Sequence, residues 1–379
     1  MRVAVLGGGI TGLFAARYLR ARGAEVTLYE QTRMGAGSIH AAGILEGHNY
    51  YTINNLRYLR RAFRYLRNGS SQLRRVDRRW FMGYLRSFGR TIRPQDLERV
   101  AELGSHSLRE YASLAQTADD FGFWIGGLTE RYENPRLFRD ALRNLRSRPE
   151  QERVEVTEDK GGGGSLHYPD MGWLDTERCI QRITRELSGV RTVLAEVDRV
   201  DVDGKVESPE GREPFDRVIV TTGIACRRLG LPITAVKGYG WTAPRVASLR
   251  NAVIFADWGL AAVPLTQSVK VTSGWDFTLS ADSRRANALW ARARKLLGVP
   301  ENVPMEQGYR PATPDGLPLV GRRERLVVAT GGFRLGWSFA PGLARHAVDL
   351  ALDDATEDPF LSRYCGSLRG GSLRGAFPS

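Results

Sequence analysis

The 379-residue sequence has few cysteines and lacks long apolar runs. Its three cysteines, Cys179, Cys226 and Cys365, lie far apart without metal-ligand spacing, so neither a disulfide framework nor a zinc site is expected. No apolar run reaches the length of a membrane span. The apolar stretch at the N-terminus is shorter than the hydrophobic segment of a signal peptide. These absences predict a cytoplasmic protein.

Basic residues outnumber acidic residues, 55 to 42, and the formal net charge is +13. Between Arg57 and Arg93 there are twelve arginines and one acid, Asp77. Leu56, Leu59, Phe63 and Leu66 recur at helical spacing, which predicts a basic amphipathic helix. Residues 56–93 could bind an anionic membrane surface or an acidic partner subunit. A helix packed on the protein by its leucine face, with solvated arginines, is an equal alternative. Nucleic acid is disfavoured, because the arginines lack a nucleic-acid-binding module.

The first thirty residues predict a βαβ unit that binds an adenine dinucleotide. Gly7, Gly9 and Gly12 have G-x-G-x-x-G spacing, which allows a tight turn, close approach of a pyrophosphate and close helix packing. The carboxylate of Glu30 is placed to accept hydrogen bonds from a ribose. The expected strand, helix and second strand are Arg2–Leu6, Thr11–Arg22 and Glu25–Tyr29.

Small residues dominate the loop 34–48, MGAGSIHAAGILEGH. With the glycine fingerprint, this loop resembles the D-amino-acid oxidase superfamily of FAD enzymes, which implies FAD as the cofactor. His40 is similar to a histidine that dimethylglycine and sarcosine dehydrogenases bond covalently to the flavin. A hydrogen bond without covalent attachment is the favoured alternative. In this half of the chain, the resemblance and the fingerprint imply cofactor contacts at Gly7, Gly9, Ile10, Thr11, Gly12, Glu30, Gln31, Ser38, His40, Ala41, Ala42 and Gly43.

The C-terminal third carries a second resemblance. The run GYRPATPDGLPLVG at 308–321, followed by GGFRLGW at 331–337, resembles glycine oxidase and D-amino-acid dehydrogenases. The resemblance implies that Arg310 holds the substrate carboxylate, which suits a guanidinium fork; an ion pair with Asp315 is the alternative. A helix starting nearby would direct its positive end at the reduced flavin. The implied cofactor contacts in this part of the chain are Val197, Thr222, Gly223, Gly331, Gly332, Arg334, Leu335, Gly336 and Trp337.

Three further side chains are candidates for the substrate pocket. Tyr239, within a K-G-Y run similar to that of D-amino-acid dehydrogenases, and Tyr309 could contact the amine or carboxylate; aromatic core is the alternative for both. Arg334 could contact the carboxylate or set the polarity of the pocket. Trp337 could form a wall of the pocket or belong to the core.

The predicted fold class is α/β, with a Rossmann-like FAD domain and a substrate domain built on an antiparallel sheet with helices. The FAD domain is assigned to 1–47, 150–227 and 305–355, and the substrate domain to 48–149 and 228–304. The GGGGS run at 161–165 is interpreted as a loop or domain crossing. The basic, Gly/Ser-rich tail 356–379 is expected to be mobile or docked on a partner.

The resemblance implies an FAD-dependent amino-acid dehydrogenase. A D-amino acid, D-proline or an N-methyl amino acid would transfer a hydride from its α-carbon to flavin N5, and the electrons would pass to a quinone, carrier or dye-type acceptor. Three alternatives stay open: an oxidase that uses O2, a tRNA-modifying FAD oxidoreductase and a non-catalytic FAD subunit of a complex. Peripheral attachment to the inner face of the membrane is an alternative to a purely cytoplasmic location.

Overall fold

The computed structural model describes residues 1–47, 50–146, 153–280 and 282–375. The helices are α1 (Ile10–Ala21), α2 (Leu56–Arg67), α3 (Arg78–Ser87), α4 (Pro94–Thr117), α5 (Pro135–Arg146), α6 (Thr176–Glu186), α7 (Ser283–Leu297) and α8 (Gly336–Ala351). The strands are β1 (Arg2–Leu6), β2 (Glu25–Glu30), β3 (Ile44–Leu45), β4 (Ser71–Leu73), β5 (Trp124–Ile125), β6 (Leu128–Tyr132), β7 (Glu155–Glu158), β8 (Gly164–Tyr168), β9 (Gly172–Trp173), β10 (Arg191–Leu194), β11 (Arg199–Val200), β12 (Lys205–Ser208), β13 (Gly211–Pro214), β14 (Arg217–Val220), β15 (Thr234–Pro244), β16 (Ala252–Phe255), β17 (Leu260–Pro264), β18 (Ser268–Phe277), β19 (Met305–Ala312), β20 (Leu319–Arg323), β21 (Leu326–Thr330) and β22 (Gly371–Ser372).

A six-stranded sheet in the order β10-β2-β1-β14-β21-β20 forms the first layer. Its strands are parallel except for β20, and helix α1 connects the adjacent strands β1 and β2. Val3 and Val5 of β1 are fully buried against Leu13 and Phe14 of α1 in one core. The prediction of a Rossmann-like domain is confirmed.

A nine-stranded mixed sheet forms the second layer. Its main path is β19-β15-β18-β17-β16-β6-β8-β7, and β4 pairs with β18. Most neighbours are antiparallel, but the β16–β6 and β18–β4 pairs are parallel. Helix α7 covers one face of this sheet through Leu289 and Trp290, which pack with Tyr239 and Trp241.

The predicted domain boundaries differ from the observed pairing in three places. The GGGGS run is the turn and first strand residues of the β7–β8 hairpin, so it lies within the second sheet. Strand β19 also belongs to this sheet, although it was assigned to the FAD domain. Helix α4 packs instead on the FAD domain, because Leu103 and Tyr111 are buried with Leu343 of α8. Tertiary pairing therefore sets these boundaries, which composition did not indicate.

The described part of the tail is docked on the protein itself. Leu361, Leu368 and Leu373 are buried, and β22 extends a small sheet by pairing with β11. Arg363 donates to both carboxylate oxygens of Asp315, each at 2.7 Å. The expectation of a mobile or partner-docked tail is therefore wrong for residues 356–375, while 376–379 lie outside the described residues.

Helix α2 is present where predicted. The alternative in which its leucine face packs on the protein is not what the structure shows, because that face is exposed. Leu56 and Phe63 are 54% and 57% exposed, whereas Tyr65 is buried. Helix α3 likewise buries Trp80, whereas Phe81 and Leu85 on its other side are exposed. The inner sides of both helices cover one apolar cluster that contains Tyr58 and Trp80. Their outer sides combine apolar and arginine side chains.

Two absences hold for the described residues. No helix there is both long and apolar enough to cross a membrane. No cluster of three or more His, Cys, Asp or Glu side chains there could hold a metal ion. Each of the three cysteines is free and buried.

Candidate active site

The glycine turn between β1 and α1 forms a cradle for a dinucleotide. Gly7 has φ +102°, and a Cβ on Gly12 would lie 1.9 Å from the carbonyl oxygen of Gly7. Helix α1 begins after Gly9 without a side-chain cap and without an acid in its first turn. Its N-terminus therefore offers N–H groups and positive potential to an anion, as a pyrophosphate requires.

Glu30 ends strand β2 beside this turn. One carboxylate oxygen accepts a 2.7 Å hydrogen bond from the Gly8 N–H, and the other accepts from Thr32. This fixes the carboxylate at the mouth of the cradle, where its remaining lone pairs can receive ribose hydroxyls. Gln31 follows as an exposed residue.

The loop after β2 joins the two domains. Ser38 Oγ accepts a 3.0 Å hydrogen bond from Ile10 N, and its carbonyl accepts one from Trp337 Nε1. His40 Nδ1 donates to Glu306 Oε2 at 2.9 Å, and Lys270 donates to the same carboxylate oxygen at 2.7 Å. These hydrogen bonds outweigh burial and lower the pKa of Glu306 to about 2. His40 is thereby held by Nδ1 against the second sheet.

The register of β15 and β19 decides which motif residues face this loop. Residues opposite each other in an antiparallel pair share a face, and alternate residues change faces. Arg310 is opposite Val236, and Gly308 is opposite Gly238, so these four residues share one face. A Cβ on Gly308 would lie 3.2 Å from the His40 side chain. We call this side, which faces the His40 loop, the inner face.

Tyr239 and Tyr309 lie on the outer face instead. Tyr239 is 1% exposed, and its hydroxyl donates to Asp276 at 3.2 Å. Tyr309 donates to the carbonyl of Leu279 at 2.9 Å. The predicted contacts of these tyrosines with the substrate do not fit this placement, because the sheet separates both from Arg310.

Gly238 is the member of the K-G-Y run that bears on Arg310. A Cβ at this position would lie 2.5 Å from Nη2 of Arg310 and 2.6 Å from Nη1. The guanidinium donates from Nη1 to the carbonyl of Gly274 at 2.9 Å and lies 4.6 Å from the ring centre of Trp275. Because Gly238 has no side chain, the guanidinium has room to lie against the ring of Trp275.

Arg310 has no carboxylate partner among the described residues. Its proposed alternative partner, Asp315, pairs with Arg363 and accepts from Tyr364. Burial lowers the pKa of Arg310 to about 10, because the loss of water outweighs the electrostatic contributions of Tyr58 and Asp276. A half-buried guanidinium without an ion-pair partner is suited to receive the carboxylate of a ligand.

Arg334 is already neutralised by a residue that the sequence analysis did not select. Its Nη1 donates to both carboxylate oxygens of Glu46, at 2.8 and 3.0 Å, and its guanidinium lies 4.2 Å from the ring centre of Tyr51. Burial acts against the charged form, but the Glu46 carboxylate outweighs it and the pKa of Arg334 is raised. This arrangement fits a role in pocket polarity. Glu46 is the one acid in loop 34–48, which could have drawn attention to it.

Two of the predicted contact residues near the start of α8 lie in the core. Trp337 is 4% exposed and Leu335 is 6% exposed, and both belong to the core of the FAD domain. Trp337 is therefore a core residue that holds the Ser38 loop. Helix α8 begins at Gly336 without a side-chain cap or an acid in its first turn, so its positive end is free to face a reduced flavin.

The other predicted cofactor contacts line the same side of the six-stranded sheet or its loops. Gly331 and Gly332 are buried after β21, and Thr222 and Gly223 follow β14. A Cβ on Gly223 would meet no atom within 4 Å. Val197 is buried beside Val200 in the core at the edge of the sheet. The residues present thus fit a dinucleotide that runs from the α1 turn towards α8.

Helix α2 contributes two side chains that the sequence analysis did not assign to the site. The Tyr58 hydroxyl has no hydrogen-bond partner in the described part of the chain, and Tyr58 interacts electrostatically with both Arg310 and Arg61. Arg61 donates to the hydroxyls of Tyr51 and Tyr65. Burial raises the pKa of Tyr58, so this phenol stays neutral. The sequence signal that could have identified these side chains is the helical i, i+3, i+7 spacing of Tyr58, Arg61 and Tyr65.

Comparisons with known proteins agree with this geometry. The model of the DAO family of FAD-dependent oxidoreductases matches residues 2–350. The chain therefore belongs to this family, and FAD is its cofactor.

Among its relatives is the D-proline dehydrogenase of Pyrobaculum islandicum, which is 37% identical over 361 residues, covering 93% of this chain and 96% of that protein. A D-amino acid dehydrogenase of Neisseria gonorrhoeae is 28% identical over 424 residues, covering 96% of this chain and 99% of that protein. Glycine oxidase of Geobacillus kaustophilus shares the fold with a TM-score of 0.72 at 21% identity, over 96% of this chain and 99% of that one.

Proposed function

We propose that this protein is a D-amino-acid dehydrogenase whose preferred substrate is D-proline or a similar secondary amino acid. The observation that carries the proposal is the half-buried guanidinium of Arg310, which lacks a carboxylate partner within ion-pair distance among the described residues. The 37% identity to a protein named D-proline dehydrogenase supports the choice of amino acid.

Arg310 would bind the substrate carboxylate through its two outer nitrogens. Its contacts with Gly274 and Trp275 hold the fork in place, so less side-chain freedom is lost on binding. FAD, when bound, supplies the chemistry by accepting a hydride from the substrate α-carbon. The protein then has to orient the substrate and bind its amine in the neutral form, and no general base is strictly required.

Tyr58 is our candidate for the group that contacts the amine or the second carboxylate oxygen. A neutral phenol can both donate and accept a hydrogen bond, and its hydroxyl has no other partner in the described chain. The Glu46–Arg334 pair would keep the far side of the pocket polar and without net charge.

Anaerobic reduction of the flavin tests the substrate proposal. D-Proline should bleach the flavin absorbance faster than L-proline, D-alanine, glycine or sarcosine. Reoxidation of the reduced enzyme in air should be slow if a carrier or quinone is the acceptor, and fast reoxidation would identify an oxidase. Arg310→Leu should keep bound FAD and lose reduction by D-proline. Unchanged turnover in this variant would contradict the role of Arg310.

We propose further that the outer sides of α2 and α3 contact an anionic membrane surface. Phe63 and Leu85 are 57% and 52% exposed. Arginines occur throughout the same helices, and apolar side chains among cationic ones suit the boundary between headgroups and acyl chains. A membrane contact there also suits an enzyme that passes electrons to a quinone.

Co-sedimentation with vesicles tests this contact. Vesicles that contain phosphatidylglycerol should pellet the protein, and phosphatidylcholine vesicles should not. Phe63→Ser with Leu85→Ser should abolish pelleting. Leu194→Ser is the matched control, because Leu194 is 63% exposed on β10 of the FAD domain. Equal pelleting of these two variants would exclude α2 and α3 as the contact.

A further inference from the structure

An arginine-lined cavity lies on the opposite side of the second sheet from Arg310. It is formed between helix α7 and residues 69–74, which include β4, and its volume is about 460 Å³. This is within the range of roughly 300–1,000 Å³ that small-molecule sites occupy. Four guanidinium groups line it, from Arg74, Arg284, Arg285 and Arg292. We call it the arginine cavity.

The carboxylates around this cavity balance only two of its arginines. Arg74 pairs with Asp282 at 3.1 Å, and Arg285 pairs with Asp276 at 2.6 Å. Within the described ranges, Arg284 has no carboxylate within ion-pair distance. The same is true of Arg292. Two positive charges are thus left over, in a cavity where four guanidiniums already repel one another.

Of the two surplus charges, Arg284 is exposed and Arg292 is held in place by the surrounding chain. Arg292 donates to the carbonyl of Asn68 at 3.1 Å, and its guanidinium lies 4.2 Å from the ring centre of Trp258. The Nη2 group of Arg285 is buried without a hydrogen-bond partner. Burial, and then the neighbouring Arg285, lower the pKa of Arg292. An anion bound among these like charges would reduce their repulsion and could accept from the unused buried donor of Arg285.

We propose that the arginine cavity binds the phosphate groups of a phosphorylated ligand. Guanidinium forks bind phosphate oxygens through paired N–H donors, and several forks around one cavity suit a group that carries more than one negative charge. The ligand would be a free phosphate compound or the headgroup of a phospholipid, since both present the same oxygens. The proposal does not depend on the amino-acid substrate, because Arg310 lies on the other face of the sheet.

Titration calorimetry of the FAD-loaded protein with inorganic pyrophosphate tests this site. Arg284→Glu should weaken binding on the order of tenfold or more, which corresponds to about 1.4 kcal/mol. Arg178→Glu is the matched control. It makes the same charge change at an exposed position of helix α6, whose Ile180 and Ile183 belong to the core of the FAD domain and not to the core beneath α7. Surface charges farther apart than about 10 Å are largely screened at ~0.1 M salt, so the control should bind within about twofold of the parent.

Asp282→Asn should raise the affinity for pyrophosphate, whereas Arg284→Glu should lower it. Asparagine also caps helices, so the start of α7 should be kept, while the carboxylate that competes for Arg74 is removed. Pyrophosphate binding should become several-fold tighter. Absence of pyrophosphate binding to the parent protein, equal effects of Arg284→Glu and Arg178→Glu, or weaker binding by Asp282→Asn would each overturn the proposal.

Vesicles distinguish the two sources of phosphate. Pelleting with phosphatidic acid vesicles that pyrophosphate reverses, and that Arg284→Glu weakens, would identify a lipid headgroup. Pyrophosphate binding without such pelleting would identify a free phosphate compound. Both outcomes support a phosphate site. Because neither readout uses turnover, they are independent of the proposed dehydrogenase activity.

Discussion

Replacing Gly238 by alanine tests the placement of Arg310 without touching its side chain. The new Cβ would lie 2.5–2.7 Å from three guanidinium atoms, below the closest normal contact, so the guanidinium must move. Gly238 does not have a positive φ, so alanine is compatible with its backbone. The flexible end of an arginine can yield at small cost to stability. The expected defect is therefore in substrate binding, with the fold retained.

The size of the defect follows from the hydrogen bonds that the displaced fork would lose. One hydrogen bond between charged groups contributes about 1.5–3 kcal/mol, so kcat/KM should fall roughly 10- to 150-fold. Gly240→Ala is the matched control, because Gly240 shares the strand and face, and its Cβ would be no closer than 3.4 Å to any neighbour. Steady-state kinetics with D-proline should show a raised KM for Gly238→Ala alone. A normal KM in a folded Gly238→Ala enzyme would refute the assignment of Arg310 as the carboxylate ligand.

Three further predictions follow from the same contacts. Arg363→Ala should lower the free energy of unfolding by about 3–5 kcal/mol in chemical denaturation, because it leaves the carboxylate of Asp315 buried and unpaired. The pKa of Asp315 is lowered in the folded protein despite burial, chiefly because Arg363 lies beside it, so the stability of this pair is present above the ordinary aspartate pKa and is lost as the pH falls. In the variant, this loss of stability in acid should be much smaller. Tyr58→Phe should reduce kcat/KM by about tenfold if the phenol hydrogen-bonds the substrate, and an unchanged value would remove Tyr58 from the site. Boiling should release the flavin into the supernatant, and flavin that stays with the precipitate would show a covalent bond to His40.

Much of the FAD domain could be predicted from the sequence because its features are local. The turn at Gly7 to Gly12, the adjoining strands and Glu30 are specified within thirty residues, and the structure places them as expected. Arg310 was selected from resemblance to a family as the ligand of the substrate carboxylate. The structure pairs Asp315 with Arg363 instead of Arg310, and the role of Arg310 towards the substrate stays a prediction.

Residues whose role depends on sheet register could not be assigned in this way. Tyr239 and Gly238 are neighbours in one motif, yet they face opposite sides of the sheet. A shift of a single residue exchanges the two faces, and the sequence alone does not state which face meets the flavin domain. The tyrosine attracted attention because it can hydrogen-bond, whereas the glycine acts through the space that it leaves.

The side of helix α2 that faces the protein could not be predicted from the sequence either. Packing by its leucine face was one of the alternatives from the sequence, but Leu56 and Phe63 are exposed, and the inward side carries Tyr65 and Arg61. The inward side can be polar because tyrosine hydroxyls satisfy the buried guanidinium. Burial of a polar stripe is favourable only when such partners are present, and those partners come from tertiary structure. One helix therefore carries Tyr58, the candidate for substrate contact, on one side and an apolar, basic surface on the other. A membrane contact on the outer side would bear directly on the helix that carries Tyr58, so the vesicle-bound enzyme is the form in which its kinetics should also be measured.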